Sequence, residues 1–350
     1  MKNFWVLLMF LIVVVFFYWF FENRKTKIIN PLIKTDKIEE IKKEKNTGWL
    51  AKYNFENLRK RENIASEIKK IGKVLVVEEA RKDSVDFESK AISFESNGKK
   101  ISGMMNVPIT PMSNKLPAII MIRGFAESEG YFVGSGSWKA ADELARNGFI
   151  TISLDFLGFG LSDAESNDIL EARFEKVISV LDLIESVKNL DIVDSEKIGI
   201  WAHSNGGQIA ISVLEISGQN YPTVLWAPMT NPFPKSVLEM VDDQSEGSLK
   251  VRQKIEDFEK EYDSKLYSID NFYDWIEAPI LIHQGTDDVW CEVEWQQDLQ
   301  KKLKKLGKEI ILDIRQGNDH NLKQDWQSVM DQDIKFFKEK GLKILDKSKE

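Results

Sequence analysis

The chain has 350 residues, 43% hydrophobic and 30% charged, with 20 Gly and 9 Pro; this composition excludes a disordered or collagen-like polymer and calls for one large domain with appendages or two smaller ones. Its 56 acids against 48 Lys and Arg give a net charge of −8, which excludes the basic face that general nucleic-acid binding needs. One cysteine, Cys291, rules out an internal disulfide, a CxxC redox pair and a multi-cysteine zinc site, and three histidines, His203, His283 and His320, bound the choice of a catalytic imidazole.

Residues 4–21 read FWVLLMFLIVVVFFYWFF, eighteen residues without a charge. At about 1.5 Å per residue a helix over them is ~27 Å long, close to the ~30 Å hydrocarbon core of a bilayer. Trp5 at one end and Tyr18 and Trp19 at the other fall where interfacial aromatics belong. No small residues precede Glu22 to serve a signal peptidase, so the span is expected to be an uncleaved single-pass membrane anchor, with the lipid bilayer as its partner. Arg24, Lys25 and Lys27 against Lys2 place the main domain in the cytoplasm by charge count, whereas a short basic start before an apolar run also resembles a bacterial export signal. Both orientations stay open. Residues 22–70 form a charged linker and N-terminal helical segment; within them 22–45 hold eight basic and five acidic residues, suited equally to anionic headgroups and to a solvated helix.

Residues 71–345 carry the pattern of the main domain. The run VLVVEEA precedes KAISFESNGKKISGMMNVP, where Asn97-Gly98 is a two-residue hairpin signal. Apolar runs then alternate with amphipathic helices: LPAIIMIRGF, SWKAADELARNG, FITISLDF, a helix over about 172–188, KIGIWAH, a helix over about 206–217, then TVLWAP, PILIHQG and KEIILDIRQ. Short β-branched runs separated by helices predict an α/β fold, a mostly parallel sheet covered on both faces with an antiparallel start. Residues 229–278 show no strand signal and include a charged helical stretch; an insertion on the side where ligands bind an open sheet is a candidate lid or a surface decoration.

The strand KIGIWAH runs directly into Ser204 and a helix, the context of a nucleophile elbow. Strand and helix pass so close there that residues two before and two after the serine must be small, and these are Ala202 and Gly206. A serine needs a base, and the base a carboxylate. PILIHQGTDDVW ends a strand in Gly285 and offers Asp287 or Asp288, and GNDHNL ends the next with His320. His203 is a poor base, since adjacent side chains at an elbow diverge, and His283 falls within a strand, where it packs or hydrogen-bonds; His320 is left. An oxyanion hole would take the N–H of Asn205 and, from the turn in IIMIRGFAESEG, that of Phe125. His283, Asp287, Asp288 and Cys291 lack metal-site spacing, and GFGLSD and GSGSWK have Asp163 and Lys139 where a third dinucleotide-binding glycine would fall. No cofactor is expected.

Together these residues resemble the α/β-hydrolase fold, in its prolyl-oligopeptidase and dienelactone-hydrolase-like branch, over about residues 86–340. AHSNGG is similar to that family's G-x-S-x-G-G elbow, HQGTDD to its H-G-x-x-D segment, GNDHNL to its G-x-x-H loop and LDFLGFGLSD to its D-x-x-G-x-G-x-S segment. The resemblance implies Asp288, not Asp287, as the acid and His320 as the base. RGF stands where the family has H-G-[GFY], with Arg123 in place of His; Ser204 stands where dienelactone hydrolases have Cys, and no propeller repeat precedes the fold. The expectation is a membrane-anchored serine hydrolase acting on a small ester or a peptide through an acyl-enzyme. Glu127 and Glu129 after the oxyanion turn are candidates to attract a cationic substrate end. The rival is a membrane-tethered binding module on an inactive copy of the fold.

Overall fold

In the computed structural model of the chain, residues 46–73, 86–109, 115–239, 241 and 245–343 are described. The anchor at 4–21, the basic stretch 22–45 and the run VLVVEEA lie outside them. Among the described residues no helix is long and apolar enough to cross a membrane. The chain divides into two units, residues 1–48 with 261–263 and residues 49–260 with 264–350. In the described part of the first, the Asn46 N–H donates to Glu261 O at 2.9 Å.

The second unit holds a sheet of strands β1 (Lys69–Lys73), β2 (Phe87–Ser96), β3 (Lys99–Pro108), β4 (Leu116–Ile122), β5 (Ile150–Leu154), β6 (Val193–His203), β7 (Thr223–Trp226), β8 (Ile280–Gly285) and β9 (Ile310–Arg315). Their order is β1-β2-β3-β5-β4-β6-β7-β8-β9. The first three pair antiparallel, as does β3 with β5, and the rest run parallel. The hairpin turns at Asn97 and Gly98, with φ of 50° and 72°, the left-handed pair that a two-residue turn requires. Every residue of β4, β5, β7 and β8 is buried, because a parallel sheet wrapped by helices leaves neither face to water. The mixed, mostly parallel α/β sheet expected from the apolar runs is the one observed.

Helices α1 (Phe55–Lys60), α2 (Trp138–Arg146), α3 (Ile169–Lys188), α4 (Asn205–Ser217), α5 (Lys235–Leu238), α6 (Glu246–Glu261), α7 (Val293–Lys305) and α8 (Trp326–Glu339) connect and cover it. The long α3 starts at Asp168, whose Oδ1 accepts the N–H groups of Leu170 and Glu171 at 3.0 and 3.1 Å, satisfying donors that a helix start leaves open. Residues 49–66, ahead of β1, pack onto the domain: Arg61 pairs with fully buried Asp182 at 2.7 Å, and Asp182 Oδ1 also accepts the Ile64 N–H. The insertion between β7 and β8 seats an aromatic cluster on α3, with Tyr267 and Phe233 at 5.1 and 5.6 Å from Phe174 between ring centroids.

His283 lies in β8 with no exposed side-chain surface, its Nδ1 on Asp313 at 2.8 Å and its Nε2 on buried Asp333 at 2.9 Å. Asp333 also accepts the indole N–H groups of Trp201 and Trp226. Burial by itself would lower the imidazole pKa, but the bonds to the two carboxylates outweigh it and hold it above the ordinary range. This network ties β6, β7, β8 and β9 to α8. His283 is thus committed to structure.

Candidate active site

The carboxyl ends of β4, β6, β8 and β9 share one edge of the sheet, and each delivers a residue singled out in the sequence. Ser204 sits between β6 and α4 at φ 55° and ψ −124°, a conformation that costs a non-glycine residue strain and is kept where the surroundings impose it. They impose it closely. The Ser204 N–H donates to Trp226 O, and its carbonyl accepts the N–H groups of Gly207 and Met229, all at 2.9 Å. A Cβ on Gly206 would lie 2.4 Å from Ile122 O and 2.6 Å from Arg123 O, so the helix start passes directly under the end of β4. At the other small position, Ala202 is fully buried and its methyl is accommodated.

His320 Nδ1 and Asp288 Oδ2 are 2.8 Å apart. Gly285 permits this approach, since a Cβ there would meet Asn318 O at 2.1 Å; the loops after β8 and β9 cross at that point. Asp288 has no exposed side-chain surface. Its Oδ2 also accepts from Gln284 Nε2 at 2.9 Å, and its Oδ1 accepts the N–H groups of Trp290 and Cys291 at 2.8 and 3.0 Å. Burial raises its pKa, and these donors, led by His320, more than reverse that and leave the carboxyl below its ordinary value. Asp287, by contrast, is exposed. The structure therefore brings Asp288 and not Asp287 to His320.

His203 has a place the sequence did not show. Its Nε2–H donates to the carbonyl of His320 at 3.0 Å, and the two rings lie 4.7 Å apart. Burial, with the neighbouring His320, pushes its pKa down to about 4, so it braces the His320 loop as a neutral ring.

The turn after β4 is held by Arg123, which is 4% exposed. Its Nη1 donates to Gly124 O at 2.8 Å, its Nη2 to Asp155 O at 2.7 Å and its Nε to the Tyr131 hydroxyl at 3.1 Å, and it stacks 4.1 Å from the Phe159 ring centroid. In a trans peptide the C=O and N–H point opposite ways, so holding the Gly124 carbonyl also fixes the direction of the Phe125 N–H. Among the described residues neither the Phe125 nor the Asn205 N–H has a protein acceptor. Gly124 is needed because a Cβ there would sit 2.8 Å from Ser204 Cβ. The LDFLGFGLSD segment supports the same turn: buried Asp155 accepts from Ser102, Tyr131 and the Gly134 N–H. Glu127 and Glu129 stand exposed on the rim beyond Phe125, with no ion pair among the described residues.

Of the donors once weighed for a metal, Asp288 and Cys291 lie with His320 within 4.8 Å of one another, while His283 is taken by its own carboxylates. Burial raises the Cys291 thiol pKa well above its ordinary value. A metal at Asp288 and His320 Nδ1 would also replace the bond that joins them. The donors present are accounted for by a His–carboxylate pair.

The sequence profile described as alpha/beta hydrolase fold matches residues 117–221. An uncharacterized 31.7 kDa protein in the traX-finO intergenic region of Escherichia coli is 33% identical over 94 residues, which are 27% of this chain and 30% of that protein. Among solved structures, an acetyl xylan esterase from Paenibacillus sp. R4 matches with TM-score 0.59 at 12% identity, over 80% of this chain and 91% of that one. Est1E from Butyrivibrio proteoclasticus, with ferulic acid bound, matches with TM-score 0.54 at 19% identity, over 72% and 99%. The acylaminoacyl peptidase of Pyrococcus horikoshii matches with TM-score 0.57 at 19% identity, over 75% of this chain and 43% of that one. Sheet order, the strand–turn–helix at Ser204, the matched segment and these neighbours agree that the chain is an α/β-hydrolase-fold protein.

Proposed function

We propose that this chain is a serine hydrolase that cleaves an ester or amide through an acyl-enzyme. Ser204 attacks the scissile carbonyl. His320 takes its proton and returns it to the leaving group, Asp288 holds the imidazole in the tautomer that can accept, and the N–H groups of Phe125 and Asn205 receive the oxyanion. The observation that carries this reading is the 2.8 Å His320–Asp288 bond on loops adjoining a serine held at φ 55°. Ester cleavage is the favoured form, since the acetyl xylan esterase and Est1E are matched over 91% and 99% of their lengths and the acylaminoacyl peptidase over 43%. Glu127 and Glu129 could draw a cationic group toward the rim, but exposed charges there are screened by water and salt.

Residues 4–21 would hold the enzyme at a bilayer. The full chain, recovered from the membrane fraction after a carbonate wash, is expected to release a burst of about one equivalent of nitrophenol from p-nitrophenyl butyrate. Acid quenching then leaves a butyryl group on the Ser204 peptide. An adduct on Cys291, or turnover that stays intact in Ser204→Ala, would sink the nucleophile assignment; recovery in the soluble fraction would sink the anchor.

A further inference from the structure

Beside Asn205 a small cavity of about 30 Å³ opens between α3, α4 and the turn that carries Tyr267 and Ile269. Two cations of α3, Arg173 and Lys176, line it, together with Gln208 of α4. Among the described residues Arg173 is hydrogen-bonded to neutral groups, Gln208 Oε1 and the Ser236 hydroxyl. Lys176 has no hydrogen-bond acceptor or ion pair among the described residues. Burial brings the Arg173 pKa down to about 10 and that of Lys176 to about 8; nearby Glu165 opposes the drop in Lys176, while Arg173 and Arg123 add to it. Three other part-buried cations carry carboxylates, Arg61 with Asp182, Lys99 with Glu175 and Arg315 with Asp313, whereas Arg123, like Arg173, is hydrogen-bonded to neutral oxygens. Two part-buried like charges side by side repel, and an anion entering between them offsets that repulsion.

We propose that the Arg173–Lys176 cavity is an anion subsite that receives a carboxylate carried by the substrate a few bonds from its scissile carbonyl. The size fits: a water-sized group needs about 10–15 Å³ of such space, so the two oxygens of a carboxylate fill it and a ring does not. The position fits as well, because Asn205, whose N–H is the candidate oxyanion donor, lines the same cavity. Asn205 follows Ser204 directly, so the cavity lies beside the turn that carries the candidate nucleophile. The inference rests on the hydrolase reading and adds the substrate class. It opposes the sign suggested by Glu127 and Glu129, and the part-buried pair is screened less than those exposed acids.

The test compares kcat/KM for p-nitrophenyl butyrate, the mono-p-nitrophenyl esters of succinate and glutarate, and 4-butyryloxybenzoate. These place no carboxylate, one on the acyl side, and one on the leaving group. Wild type is expected to prefer one charged ester, and Lys176→Gln to reduce that preference on the order of tenfold, the worth of a charge-assisted hydrogen bond. Lys176→Arg should keep it. The same loss should appear when binding of monomethyl glutarate and of 4-butyryloxybenzoate to Ser204→Ala is followed by calorimetry with and without Lys176→Gln. A preference ratio and anion affinities that do not respond to Lys176→Gln would overturn the subsite. Anion binding that responds, with no ester cleaved by wild type, would uphold the subsite and remove the hydrolase.

Discussion

Replacing Ser204 or His320 by Ala should lower kcat/KM for a p-nitrophenyl ester by about 10⁴–10⁶-fold, and the double replacement should cost little beyond either one alone. The reason for non-additivity is geometric. The serine hydroxyl is a weak nucleophile unless an imidazole removes its proton, so losing either partner abolishes the same step. What survives is binding plus the oxyanion donors, which depend on backbone N–H groups and are untouched by either change. Ser204→Ala should unfold at the wild-type denaturant midpoint, while His320→Ala, which takes a donor from buried Asp288, should stay folded with a lowered midpoint. Losses that multiply in the double variant would mean that the two residues act in separate steps.

Asp288→Asn should lower kcat by about 10⁴-fold through the tautomer of His320. Each carboxylate oxygen of Asp288 accepts two donors, Trp290 and Cys291 on one side, His320 and Gln284 on the other. An amide has one oxygen to offer. Keeping it on the two backbone N–H groups turns the Asn NH₂ toward His320 Nδ1, which must then accept. The ring proton moves to Nε2, and the imidazole can no longer take the proton of Ser204. Steady-state kinetics beside the imidazole ¹⁵N shifts would read both effects. A variant that keeps near-wild-type kcat with the tautomer reversed would remove Asp288 from the mechanism.

The residues legible in the sequence are those whose chemistry is tied to local backbone geometry. Ser204 announced itself because an elbow demands small neighbours at fixed offsets, and Ala202 and Gly206 fill them. Asp288 and His320 follow strand ends, and strand ends of a parallel sheet converge on one edge whatever the intervening helices contain. Residues defined by tertiary neighbours were not legible in this way. His203 reads as an elbow residue of no use as a base, and only the fold shows its Nε2 on the His320 carbonyl. Arg123 reads as a departure from a motif, whereas its guanidinium fastens the turn after β4 to Asp155 O and Tyr131. Arg173 and Lys176 look like ordinary helix-surface cations until α4 and the insertion close over them. Residues 49–66 likewise carry no strong pattern, because their fit depends on Asp182 of α3, more than a hundred residues away.

The central claim, a nucleophilic serine activated by His320, is tested most directly by labelling the full chain with a fluorophosphonate beside Ser204→Ala and His320→Ala. The account predicts a single phosphonylated peptide containing Ser204, absent from the first variant and strongly slowed in the second. A folded wild type that takes no label, or takes it at another residue, would contradict the account and leave a tethered binding module on this fold as the better description.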